Sequence, residues 1–486
     1  MVKSRHALSR NQKIILRVES IAAGGQGVCK HEGVPIFVDR AAPGDLAEIE
    51  LYDVRKDFAH AKIVRILESS PARHEPPCKL FKVCGGCQWQ HIRYESQLDL
   101  KTDIVKQVIQ RIAGFDPEIV HQAIGTETPL QYRNKVQFPV AQPNQSTRIL
   151  AGYYKEGSHE LVNIKHCPVQ PEPLDILLEM AKEAAEIAGL AAYREKDHSG
   201  LLRHLIFRYS FSEDTALLTL VLNAHADEMD ELGPDLEEFV FQMTEAESPL
   251  RGICVNFNPD RGNRIMGNET ECIYGDDHIV EILRSRHSGA PERLKEGLRF
   301  QLSPASFFQV NSGQAVTLLD LVLDAVLEYK SNRNLERVPL ILDAFAGVAT
   351  IALWLAPLAE RVIAVEEVPD SITDAAKILE INSVENVDLI EGTVEEVFPQ
   401  LVHNQTAANI VVLDPPRKGV DRDALISVTE MRPERIIYVS CNPATLARDL
   451  KILEGLEYRT LYVKPLDIFP QTYHVESVAV LDRVSS

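Results

Sequence analysis

Ile341-Leu342-Asp343-Ala344-Phe345-Ala346-Gly347 is the stretch on which the fold turns. An apolar run flows into a turn of small residues, and a helical pattern follows. Backbone in such a turn can approach a ligand closely, with a helix N-terminus nearby. The next apolar run, Val362-Ile363-Ala364-Val365, ends in Glu366. That position is about 20 residues downstream, where a carboxylate can accept both hydroxyls of a ribose. The alternation continues outward. Strands are expected at 340–343, 361–365, 387–390, 409–413, 435–439, 458–466 and 477–481, with helical segments between the first five. This rhythm gives an α/β class with a doubly wound, Rossmann-like sheet and ligands at the carboxyl ends of its strands. Taken alone, the turn also suits a dinucleotide, and it keeps only one glycine because Ala349 follows Gly347.

Two further strand ends carry chemistry. Val411-Val412-Leu413 runs into Asp414-Pro415-Pro416-Arg417-Lys418-Gly419, and Ile436-Ile437-Tyr438-Val439 runs into Ser440-Cys441-Asn442-Pro443. A thiol at that edge is placed to act as a nucleophile, although a lone cysteine at a strand end is more often plain core. Glu476, near the start of the last strand, returns a carboxylate to the same edge; by itself it reads as a solvated residue.

The chain has 486 residues, 45% apolar and 25% charged, which fits a globular protein of two or three domains. No apolar run approaches the roughly 18 residues of a membrane span. The longest candidate, 340–358, is broken by Asp343 and holds Gly347 and Pro357. The start, MVKSRHALSRNQK, is polar and has no apolar segment, so no secretory signal is expected and a cytoplasmic location is. Residues 10–70 read as short strands broken by turns, at 14–18, 35–38, 47–51 and 59–66, the pattern of a small OB-like barrel. A proline-rich stretch at 71–77 marks a boundary. Beyond it a helix is expected over 94–113, another over 173–188, and strands at 201–208 and 216–222. The net charge is −20, yet Lys and Arg slightly outnumber Asp and Glu up to residue 140. That asymmetry points to a nucleic-acid-facing front, or simply to a less acidic first domain.

Eight cysteines in a reducing compartment are no disulfide framework. Cys78, Cys84 and Cys87 share one glycine-bearing loop, and Cys167 lies far along the chain. Four thiolates suit zinc or an iron–sulfur cluster, and three on one loop with a distant fourth lean towards [4Fe–4S]. Unligated buried thiols are the third reading. Cys29, Cys254 and Cys272 show no partner pattern and read as core or incidental.

At these residues the chain resembles the RNA uracil-5-methyltransferases, particularly ribosomal members with an N-terminal TRAM barrel and an iron–sulfur cluster. The resemblance spans nearly the whole chain. It is carried by SCNPATLARD (440–449), DPPRKG (414–419), FFQVN (307–311), CGGCQWQH (84–91) and the barrel run from Ala22 to Leu51. It implies S-adenosylmethionine as methyl donor and RNA as partner, with 23S rRNA favoured and the T-loop uridine of tRNA the alternative. By the same resemblance Cys441 is the nucleophile and Glu476 the general base. Gln309, Phe345, Glu366 and Asp414 contact the cofactor, and Cys78, Cys84, Cys87 and Cys167 hold a [4Fe–4S] cluster. The implied organisation is a TRAM barrel at 10–70 and a mixed α+β central domain with the cluster at 71–95 and 130–300. A catalytic domain at 96–129 and 301–486 completes it, in a chain that acts as a monomer. Arg133-Asn134-Lys135 is a further candidate RNA contact. Two positions depart from the family: the first turn reads Ala-Phe-Ala-Gly-Val-Ala-Thr in place of a Cys-Gly-x-Gly type, and Thr393 follows Gly392 where an acidic or polar residue often lies near the adenine. Arg417 after the two prolines argues against an amine or amide methyltransferase, which would favour an aromatic there. The lack of any cysteine other than Cys441 after Cys272 argues against the cytosine-5 enzymes.

Overall fold

A computed structural model describes residues 8–484; the first seven residues of the polar start lie outside it. The catalytic sheet has seven strands in the spatial order 387–391, 359–366, 338–344, 410–413, 435–440, 476–483, 458–466. The first five run parallel, and the strand Glu476–Arg483 enters antiparallel between Arg435–Ser440 and Tyr458–Leu466. The strand order reverses between Val338–Ala344 and Ile410–Leu413, which opens a crevice at their carboxyl ends. These strands are continuous apolar runs because helices cover both faces. Ile341, Val362, Ile410 and Ile437 sit in one core cluster, and Leu342, Ile363, Val411 and Ile436 in the one on the opposite face.

Residues 94–124 belong to this body by contact. The helix Tyr94–Val108 continues into a wider turn, Ile109–Ala113, and Val105 and Ile109 enter the same apolar cluster as Leu446 and Leu450. Val120 and Ile124 then bridge to Val463 and Leu466 at the sheet edge.

The central region holds a second seven-stranded sheet, ordered 269–275, 250–257, 215–222, 202–210, 135–141, 150–154, 161–163. The helices Glu172–Ile187 and Met229–Thr244 bring Leu174, Leu178, Leu236 and Phe239 into its core. Cys254 and Cys272 face each other across this sheet, a pairing that their sequence spacing did not reveal.

At the N-terminus six strands between Lys13 and Glu68 surround a small core of Val18, Cys29, Ile36, Val38, Ile49 and Ala61. Much of the positive charge expected there lies in exposed ion pairs. Arg17, Lys30, Arg40, Arg55, Lys62 and Arg65 each lie in an ion pair with a carboxylate. No helix of the described residues is long and apolar enough to cross a membrane.

Candidate active site

The crevice at the strand-order reversal is a cavity of about 580 Å³. Gln309, Phe345, Glu366, Asp414, Cys441 and Glu476, the residues singled out in the sequence, all line it. Backbone geometry explains why they meet. Ser440 pairs with Ser477 in antiparallel register, so one step further brings Cys441 opposite Glu476. Cys441 follows its strand directly, and the Asn442 side chain caps the helix Pro443–Glu454 through the N–H of Ala444. The same Asn442 donates to the carbonyl of Arg417 at 3.0 Å, which ties the Asp414–Gly419 loop to the cysteine turn.

On the other side of the crevice, Glu366 closes the second strand and is mostly buried. Its two oxygens accept from the N–H groups of Gly347 and Val368, at 2.8 and 2.9 Å. A carboxylate has further lone pairs, so these bonds orient it and leave acceptors for a ribose. Asp343 is fully buried and accepts from the N–H of Ala352 at 2.8 Å, while its Oδ1 has no partner. The turn between them holds Phe345, Gly347 and Ala349 at positive φ. Left-handed backbone at a non-glycine residue is costly, and it gathers at ligand sites.

The electrostatics are those of acids kept out of water. Burial, first of all, raises Asp414 to about 7 and Asp343 to about 8. Glu476 is pushed well above the usual carboxylate range by burial and by the Asp414 carboxylate, with Arg417 opposing. The Cys441 thiol is raised to about 11 by burial, Glu476 and Asp414, again against Arg417. Phe307, Phe469 and His474 also line the cavity, and none of them was singled out from sequence. Phe307 stands inside the quoted FFQVN string and is 67% exposed, an aromatic face left free at the cavity mouth.

Residues 292–484 match the family model described as tRNA (uracil-5-)-methyltransferase. An RNA methyltransferase of Bacillus cereus is 36% identical over 98% of both chains, and one of Halalkalibacterium halodurans is 35% identical over 99% of both. The chain belongs to the RNA uracil-5-methyltransferase family. It is an S-adenosylmethionine-dependent RNA methyltransferase. Among solved structures it is similar to the tRNA (uracil-54, C5)-methyltransferase of Pyrococcus abyssi in complex with S-adenosyl-L-homocysteine. The two share 26% identity with a TM-score of 0.73, over 96% of this chain and 99% of that one.

The methyltransferase brings its four flagged cysteines to a second place. Cys78, Cys84, Cys87 and Cys167 line one small cavity of about 20 Å³, together with Arg133 and Tyr153. Among the described residues no three His, Cys, Asp or Glu side chains form a group able to hold a single metal ion. Arg133 therefore stands at the cysteine cavity. The rest of the Arg133–Lys135 candidate is also engaged internally. Asn134 is buried and donates to Gln309 O and Ser312 Oγ, both at 2.9 Å, and Lys135 reaches Pro304 O at 3.3 Å. Asn134 supports the FFQVN segment, Lys135 the chain just before it, and Arg133 the cysteine cavity, so the RNA contact expected of these residues from sequence is replaced by internal bonds.

Proposed function

We propose that the enzyme methylates carbon 5 of a uridine in RNA through a covalent adduct between Cys441 and carbon 6 of the base. The observation that carries this reading is Cys441 and Glu476 on adjacent strand ends in the wall of one cavity. Carbon 5 of uracil is a poor nucleophile. Addition of the Cys441 thiolate to carbon 6 makes an enolate whose carbon 5 can take an alkyl group. S-adenosylmethionine, held by Gln309, Phe345, Glu366 and Asp414, supplies the electrophilic methyl when bound. Glu476 then removes the proton from carbon 5, the carbon–sulfur bond breaks, and the thiolate is restored. A base within folded RNA must be unstacked to reach this depth, and the exposed Phe307 ring offers it a surface.

The Arg417 guanidinium acts on the Cys441 thiol in the direction that favours the thiolate. Adduct formation should therefore rise with pH towards the thiol pKa. In Arg417→Met the rising limb should move to higher pH, with the rate at pH 7 falling about tenfold for each pH unit of that move. An unmoved limb in the rate of adduct formation at saturating RNA would contradict this role.

The four cysteines around the small cavity are the ligands proposed for a [4Fe–4S] cluster. In such a cluster each thiolate binds a different iron, so four thiols around one cavity need not converge on a single point, as zinc would require. Arg133 beside them offsets the net negative charge of four thiolates on a cluster. Anaerobically purified protein should contain iron and acid-labile sulfide and absorb in the visible, and Cys84→Ser should lose that absorbance. Protein holding zinc and no iron would refute it.

The TRAM reading of the barrel, the domain boundaries given above and a cytoplasmic, monomeric enzyme remain parts of this proposal. So does the target. The barrel and the cysteine segment favour 23S rRNA by family resemblance. The Pyrococcus abyssi relative, which matches nearly end to end, acts on uracil 54 of tRNA and favours that second reading. Mapping 5-methyluridine in 23S rRNA and tRNA from cells with and without the gene decides between them: the position that loses the methyl group is the substrate.

A further inference from the structure

The loop between the last two strands of the catalytic sheet, residues 467–475, leads directly to Glu476 and places Phe469, His474 and Val475 in the cavity wall. Loops ordinarily turn their carbonyls to water. Here five successive carbonyls are each taken by a group from elsewhere in the chain. Gln314 Nε2 donates to Asp467 O at 3.0 Å, Asn311 Nδ2 to Ile468 O at 3.1 Å, and Lys101 Nζ to Phe469 O at 3.2 Å. The Tyr132 hydroxyl donates to Pro470 O at 3.0 Å. The N–H groups of Gln88 and Trp89, from the cysteine-bearing segment, both donate to Gln471 O, at 3.1 and 3.0 Å.

Gln97 joins these contacts. Its side chain is fully buried on the helix Tyr94–Val108. Its Oε1 accepts from the N–H of Gln471 at 3.0 Å. Its Nε2 lies 3.0 Å from Gln471 Oε1, 2.8 Å from Ile92 O and 3.2 Å from Trp89 O, so two protons serve three acceptors. One amide thus grips both the end of the cysteine-bearing segment and the middle of the Glu476 loop. The barrel closes the same assembly. Trp89 Nε1 donates to Gly25 O at 3.0 Å, and Tyr473 packs so tightly on Gly25 that an added Cβ would meet its ring at 2.6 Å. Gly25 also has φ +83, so two constraints require glycine there.

Glu476 opens its strand directly after this loop, paired with Leu466, whereas Cys441 follows the strand Arg435–Ser440 and is steadied from the other side by the bond from Asn442 to the Arg417 carbonyl. The loop that Gln97 clamps therefore governs one of the two reacting groups and not the other. We propose that Gln97 is a positioning residue for Glu476. Its clamp on Gln471 fixes the loop that delivers the carboxylate to carbon 5, and makes proton removal depend on the cysteine-bearing segment staying in place. This rests on the assignment of Glu476 as the base. A displacement of about 1 Å can cost a reaction step on the order of 100-fold, and Gln471 stands only a few residues from Glu476.

The test is single turnover of the full-length enzyme with unmodified RNA and S-adenosylmethionine, following the covalent protein–RNA adduct and the methylated product separately. Gln97→Met keeps length and volume and removes every bond of the clamp. Gln471→Ala is the second variant. Of the bonds made by Gln97 it removes only that from Nε2 to Gln471 Oε1 and keeps those to Trp89, Ile92 and the Gln471 N–H, so it should slow product formation in the same sense but less than Gln97→Met. In Gln97→Met adduct formation should stay within about 3-fold of the parent while product formation slows by about 10-fold or more, so that adduct accumulates. Equal losses in both steps, or an unchanged product rate in two folded variants, would overturn the proposal. Glu476→Gln is run in parallel. Accumulation there but not in the Gln97 and Gln471 variants overturns the positioning role alone. No accumulation in Glu476→Gln overturns the base assignment and this inference with it.

Discussion

Cys441→Ala should abolish RNA methylation, with a loss on the order of 10⁴- to 10⁶-fold in kcat/KM, while the protein stays folded and binds S-adenosylmethionine. The size follows from the chemistry. Without the thiolate, carbon 5 never becomes nucleophilic, and no neighbouring group supplies a substitute. Retained cofactor affinity follows from the sheet. Glu366 ends the second strand in spatial order and Cys441 follows the fifth. Three strand spacings, about 14 Å, separate them. Calorimetric titration of the cofactor should change by less than about 0.5 kcal/mol. A partly exposed thiol gives up little packing, so stability should move by no more than about 1 kcal/mol.

Glu476→Gln should give the opposite phenotype at the RNA. Attack by Cys441 survives, but an amide cannot take the carbon-5 proton. Product formation should fall by about 10²- to 10⁴-fold, with a covalent protein–RNA species accumulating on denaturing gels. Unchanged turnover would contradict the role. The variant also carries a stability signature whose sign is fixed. Glu476 has a folded-state pKa well above its usual 4.5. The folded state therefore holds the proton more tightly than the unfolded one, and the parent loses stability as pH rises above about 4.5. Gln cannot ionise. The stability of the variant relative to the parent should be smallest near pH 4 and grow towards neutral pH, as read from Tm at a series of pH values.

Much of the catalytic half could be read in the sequence because its strands are short apolar runs punctuated by chemistry. The runs at 340–343, 361–365, 387–390, 409–413, 435–439, 458–466 and 477–481 correspond to strands that begin or end within three residues of those bounds. Period alone could not see the helix Ser312–Arg333. Val316, Leu319, Val322, Val326 and Tyr329 are buried together with Leu318, Leu323 and Ala325, so it shows no single apolar stripe. The candidate site residues were legible as strand ends sharing one edge of the sheet, and they do line one cavity. What the sequence did not show is the antiparallel entry of the strand that starts at Glu476, which sets Cys441 opposite that carboxylate. The misreading of Arg133-Asn134-Lys135 has a similar cause. Three polar residues in a row look solvent-facing in a sequence, but Asn134 meets the carbonyl of Gln309 in the FFQVN segment, Lys135 that of Pro304 just before it, and Arg133 meets the cysteine cavity. The charge balance up to residue 140 could not show that several of the barrel's cations, Arg17, Lys62 and Arg65 among them, sit in exposed ion pairs with nearby carboxylates.

Incubation of the native enzyme with S-adenosylmethionine and RNA carrying 5-fluorouridine at the target position probes the sulfur–carbon bond itself. Fluorine on carbon 5 cannot be removed as a proton, so the adduct has no exit. The expected result is a stable protein–RNA conjugate that mass spectrometry places on the peptide containing Cys441. Methyl transfer with no such conjugate, or a conjugate on another residue, would contradict the mechanism.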